Sequence, residues 1–237
     1  MHSARRVGRA VGLLSLARAP LAPVANFVLL PAVTGAAWLG EAAAHAPRVR
    51  AGLLVGLAFA LLGLASAIVA APLLRRYSER MTLALVLLST LACITTIVEN
   101  VTLLGMLSLS EQHATAGAAG TISALGHAAR ATWRWSHFTN LLVGQLASLA
   151  FAAVLWRFAL VPRLLAGASV AASLAAIVGL AMPLLGRPFS FATLAPLGIA
   201  GIALMAWLVA RGFEEREPGL LVEKAGDPAR GFSAMAS

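Results

Sequence analysis

Residues 51–74 read AGLLVGLAFALLGLASAIVAAPLL, 24 consecutive positions without a charge. As a helix this run is about 36 Å long, enough to cross the ~30 Å hydrocarbon layer of a bilayer. Five further stretches qualify in the same way, at about 10–33, 81–109, 136–160, 164–185 and 189–210. Composition agrees, because only 11% of the chain is charged and 60% is hydrophobic. A soluble domain usually carries about 25% charged residues, so this chain cannot cover itself with a charged surface. The expected architecture is an all-α integral membrane protein, a six-transmembrane-helix bundle occupying residues 1–211. The remainder, 212–237, is charged and contains proline and glycine, and reads as a mobile tail.

The basic residues orient the bundle. One side collects twelve of them, from Arg5, Arg6 and Arg9 through Arg75, Arg76, Arg80, Arg157, Arg163 and Arg211 to Arg216, Lys224 and Arg230. The other side has Arg48, Arg50, Arg130, Arg134 and Arg187. Positively charged loops are retained in the cytoplasm, so both termini are expected there, and six spans return the chain to its starting side. Trp38, Trp133 and Trp135 fall near outer span ends, and Trp156 and Trp207 near inner ones, where indoles favour the membrane interface. The basic N-terminus and the small-residue APVA resemble a signal peptide, but Arg18 interrupts the apolar region, so the first span is read as retained. Arginine outnumbers lysine seventeen to one in an alanine-rich chain, which suggests a bacterial source and hence the inner membrane.

Several function classes are set aside on these grounds. The net charge of +9 is spread over short clusters between spans, so no nucleic-acid partner is expected. Lys224 lies outside every span, leaving no intramembrane lysine to form a Schiff base with an aldehyde cofactor. Cys93 is the single cysteine, and His45, His113, His127 and His137 show no ligand spacing. Neither a metal nor a cofactor is expected. Residues 110–135 read as a long outer loop whose TISALGHAARATWRW end can lie as an amphipathic helix or cover a pocket. Gly52-x-x-x-Gly56, and Gly198 with Gly201, have the small-residue spacing that lets helices approach closely in lipid.

Within the third span, TTIVENVTLLG places Glu99 and Asn100 where apolar residues are expected. A charged side chain near the middle of a span costs about 2.5–3.5 kcal/mol on insertion scales, which makes Glu99 the first candidate for a functional group. Thr95, Thr102 and Met106 share its face, while Ser89, Cys93, Thr96 and Asn100 follow the adjacent one. On the fourth span His137, Asn140, Gly144 and Ser148 share a face, flanked by Gln145. Glu99 can therefore bond Asn140 or Gln145 if these spans are neighbours. Arg18 lies in the first span among Pro20 and Pro23, prolines that predict a kink. It sits roughly 10 Å from Glu99 along the membrane normal, so a direct pair is not expected. Either it snorkels to the inner headgroups or it meets a ligand.

At the fifth and sixth spans, FALVPRLLAGASVAASLAAIVGL and LMAWLVARGF resemble a bacterial membrane family, domain of unknown function 4386, and RRVGRAVGLL resembles its opening. The resemblance implies six spans and carries over no activity or site residue.

Three functions remain open. The first is a pocket between the third and fourth spans for a hydrophobic small molecule such as a lipid or isoprenoid. There Glu99 would be the acid or hydrogen-bond donor, His137 a relay, and Asn100, Asn140, Gln145 and Arg18 would hold the ligand. The second is a small proton- or cation-coupled transporter. The third is a structural subunit in which the polar groups only join helices. Whether the chain is an enzyme is not decided by its residues.

Overall fold

The computed structural model describes residues 3–116 and 120–214, so the expected tail lies, from residue 215 onward, outside the described residues. Among them, six helices are long and apolar enough to cross a membrane, and no strand is present. We label the main helix of each α1 (Ala4–Arg18), α2 (Ala46–Leu74), α3 (Glu79–Ala116), α4 (Gly120–Arg157), α5 (Arg163–Ala181) and α6 (Ala195–Arg211). Large apolar side chains cover their outer faces; Leu54, Leu61 and Ile68, seven residues apart on α2, are all exposed. In water such faces would aggregate, and in lipid they are simply solvated.

The first span does not continue as one α-helix. Pro20 and Pro23 supply no backbone N–H, and after them Val24–Leu29 winds more widely, with Leu30 N–H donating to Ala25 O five residues back at 2.9 Å. Carbonyls freed along this broken segment are taken up by arginines from other helices. Arg48 donates to Val28 O, and Arg130 to Gly35 O and to Thr34 O, the last at 3.2 Å. Two of the five arginines read as outer loop residues therefore complete the end of a helix.

Residues 110–135 are helical at every described position, which corrects the expected loop. The helices α3 and α4 are 38 residues each, and 117–119 between them lie outside the described residues. Each is about 57 Å long, so a good part of this hairpin stands beyond a ~30 Å hydrocarbon layer. The extension persists because it has something to pack against. Gly126 lets α4 pass over Trp38 and Leu39, with Trp38 Cζ2 3.4 Å from where a Cβ would be. Trp38 is buried with Val33, Val49, Leu103, Met106 and Leu107 instead of lying in the interface.

Consecutive helices pack on one another, and α6 packs even more closely on α1 than on α5, closing a ring. The closing seam is built on Gly8 and Gly12, four residues apart on α1. A Cβ on Gly12 would stand 2.8 Å from Val209 N, and one on Gly8 would overlap the backbone of Gly212 and Phe213. Arg9 donates to Ala210 O across the same seam at 3.1 Å. Gly52 makes the expected close approach, to Leu29 and Leu30, whereas Gly198 and Gly201 face open space and pack against nothing.

Two apolar clusters occupy the ends of the ring. One gathers Val11, Leu74, Leu85, Leu155, Leu208 and Phe213, and the other is centred on Trp38, Leu103 and Met106. The polar residues of α3 and α4 lie between them.

Candidate functional site

The centre of the site is a hydrogen-bonded cluster between α3 and α4. Glu99 is 8% exposed. Its Oε1 lies 2.7 Å from His137 Nδ1, and its Oε2 accepts a bond from Asn140 Nδ2, also at 2.7 Å. These distances are in the range of charge-assisted bonds. Asn140 Oδ1 meets Thr95 Oγ1 at 2.9 Å and Thr96 Oγ1 at 3.1 Å, and each hydroxyl divides its one hydrogen between that oxygen and Ala92 O. The amide orientation follows: its nitrogen must face the carboxyl, which only accepts when ionised, and its oxygen must face the hydroxyls. Below the His137 ring, Trp133 stacks obliquely at 5.6 Å between centroids.

Helical spacing explains why these groups meet. His137 and Asn140 are three residues apart on one face of α4, so both reach the same carboxyl. Thr95, Thr96 and Glu99 lie within one turn of α3. The cluster can hold a single proton between Glu99 and His137, as carboxylate with imidazolium or as acid with neutral imidazole.

Beside the cluster is a cavity of about 360 Å³ inside the ring. It is walled by residues of α1, α2, α3 and α4, with Met205 reaching in from α6. At roughly 30 Å³ per molecule it has room for about a dozen waters, or for a small ligand. Asn140 and Thr96 belong to this wall and Glu99 does not, so the Asn140 amide stands between the carboxyl and the cavity.

Arg18 enters the cavity from α1. Its guanidinium carbon lies 3.9 Å above the centre of the Phe59 ring, and it is pressed so closely on Gly63 that a Cβ there would come within 3.0 Å of Cζ and Nη1. The side chain therefore turns into the bundle and does not run out to headgroups. It makes no ion pair among the described residues; the carboxylates of Glu99 and Glu111 pair with His137 and Arg50. A cation over an aromatic face is worth about 2 kcal/mol when desolvated, against several kcal/mol for burying the ion. Phe59 alone does not offset that cost. Arg18 Nε is buried without a hydrogen-bond partner among the described residues, and so is Gln145 Oε1, another atom of the cavity wall.

The remaining sequence candidates fall elsewhere. Asn100 turns away from the cluster and donates to Leu53 O of α2 at 3.1 Å, where it ties two helices together. Gln145 does not bond Glu99 and faces the cavity. Among the described residues no three histidine, cysteine or acidic side chains are grouped as metal ligands. Phe59 and Gly63 were not singled out in the sequence. Their signal was present, an aromatic and a glycine four residues apart on one helix face, but only the packing of α1 on α2 brings the arginine to them.

Six helices long and apolar enough to cross a bilayer define a multi-pass membrane protein. The chain belongs to the family described as Domain of unknown function (DUF4386), whose profile matches residues 10–212. The matched region takes in part of the α1–α6 seam, including Gly12 against Leu208 and Val209. Comparison with curated proteins finds no match, and comparison with solved structures finds none either.

Proposed function

We propose that this is a bacterial inner-membrane protein, with both termini in the cytoplasm, that binds a small amphipathic molecule in the cavity between its helices. The observation that carries this reading is the cavity itself, apolar over most of its wall yet holding buried polar atoms without a hydrogen-bond partner among the described residues. Native proteins seldom leave such atoms unpaired, and a ligand or ordered water is the usual partner. Glu99 and His137 act from behind Asn140, fixing the amide and, through it, the shape of the wall. The binding unit is the six-span domain over 1–211.

Gly144 offers a direct test, since it lines the cavity with nothing within 4 Å of where a Cβ would stand. Gly144→Leu should fill the space without a clash, and it replaces a poor helix former by a good one. In native mass spectrometry wild type is expected to carry a small-molecule adduct whose occupancy falls at least tenfold in this variant. Equal adducts on the two proteins, or a wild type that stays bare, would overturn the proposal.

The orientation rests on the excess of basic residues beside the termini. In a Cys93→Ser background, His127→Cys should react with an impermeant maleimide on intact cells and Arg6→Cys should not. The reverse labelling would invert the topology.

A second reading, a small proton-coupled carrier, draws on the 2.7 Å Glu99–His137 pair. On that reading Glu99→Gln abolishes proton uptake coupled to ligand movement in liposomes and leaves binding intact.

A further inference from the structure

We infer that the cavity is an anion site, with the Arg18 guanidinium and the Gln145 amide receiving the carboxylate or phosphate head of an amphipathic molecule. This rests on the reading of the cavity as a ligand pocket and goes on to state the chemistry of its occupant.

Three observations converge on it. Arg18 is the only charged residue among the described ones that line the cavity, so its charge meets no carboxylate there. A guanidinium keeps its charge at neutral pH and cannot escape the mismatch by losing a proton. Second, Arg18 Nε–H is a buried donor with no acceptor among the described residues, and the guanidinium is held by Phe59 and Gly63. The aromatic face and the glycine constrain the plane of the fork. Planar, bidentate recognition of carboxylate or phosphate is the use for which a guanidinium is suited and an ammonium is not. Third, Gln145 lies on the same wall with its Oε1 buried and unpartnered among the described residues, and turning the carboxamide over brings its two N–H donors to an anionic head group. Ser15, one turn before Arg18 on α1, adds a hydroxyl.

The rest of the wall favours an amphiphile over a bare ion. Phe59, Leu64, Leu85, Leu141 and Phe151 surround the polar end with apolar surface. An inorganic ion would leave that surface against water, whereas an alkyl or isoprenoid chain would cover it.

The test uses the full-length protein in nanodiscs of zwitterionic lipid and four probes: octyl phosphate, octanoate, octanol and inorganic phosphate. Binding is read by calorimetry and by thermal shift. Both octyl anions are expected to bind at least tenfold more tightly than octanol. Arg18→Gln should bring them down to the octanol level, and Arg18→Lys should recover part of the difference. Gln145→Leu, which leaves the arginine in place, should weaken the anions several-fold and spare octanol, so the inference stands on a second variant if Arg18→Gln does not fold. Inorganic phosphate binding as tightly as octyl phosphate would overturn the amphiphile and make a free anion the occupant. Octanol matching the anions, or anion affinity unchanged in a folded Arg18→Gln, would overturn the anion site and leave the pocket standing. Failure of all four probes to bind would overturn the pocket reading itself.

Discussion

Gly8→Leu should open the ring. A side chain at this position has to displace the backbone of Gly212 and Phe213, and backbone held in a helix end cannot move aside as a flexible side chain can. Overpacking of this kind costs about 3 kcal/mol or more, an apparent Tm lower by roughly 6–12 °C for a chain of this size. Gly12→Leu should behave alike, since its Cβ would stand 2.8 Å from Val209 N and 2.9 Å from Leu208 C. Gly198→Leu is the internal control, because that glycine faces open space and the change should leave Tm within about a degree or two. Equal melting of all three variants and wild type would show that α1 and α6 do not meet as described.

The second large effect is expected at Asn140. Replacing it by the similarly sized leucine removes the donor to Glu99 Oε2 and the acceptor of two threonine hydroxyls in one step. Single hydrogen bonds between membrane helices average only about 0.6 kcal/mol, because the unfolded chain in lipid also finds partners. A buried carboxyl that loses one of its two partners is a different case, and a cost near ~3 kcal/mol is expected. Glu99→Gln keeps a side chain of the same shape and should cost less than about 1 kcal/mol. The double variant Glu99→Gln/Asn140→Leu should then lose less than the sum of the two, the mark of residues that share an interaction. Strict additivity in thermal or denaturant melts would mean that the two side chains do not touch.

What could be read from the residues divides along physical lines. The six spans were legible because lipid demands long apolar runs, and nothing else in the chain resembles them. Glu99, His137 and Asn140 were legible as a group because helical spacing puts them on facing stripes of consecutive helices. Gln145 and Arg18 were visible only as misplaced polar groups. Their position on a common cavity depends on how α1 and α4 pack around α2 and α3, and no local pattern encodes that packing. The arginines illustrate the same limit from another side. Counting them gives an expected orientation, but that count treats every outer arginine as a loop charge. Arg48 and Arg130 spend their hydrogen bonds on the broken end of the first span. Likewise the continuation of α3 and α4 through 110–135 was hidden by its mixed polarity. A helix standing in water has no reason to be uniformly apolar, and it is sustained here by its partner helix and by the Trp38 segment.

The order of the ring has a consequence for how the molecule comes into being. Helices α2 to α5 each find a main neighbour in the one emitted just before them, so helical hairpins can assemble pair by pair as the ribosome feeds the translocon. The contact of α1 with α6 is the exception, joining the earliest helix to the last. Until α6 has entered the bilayer the outer side of α1 stays open, although Arg18 can already pack on Phe59 and Gly63 of α2. The wall of the cavity is thus laid down by the first four helices, and the final insertion step adds Met205 and seals the seam.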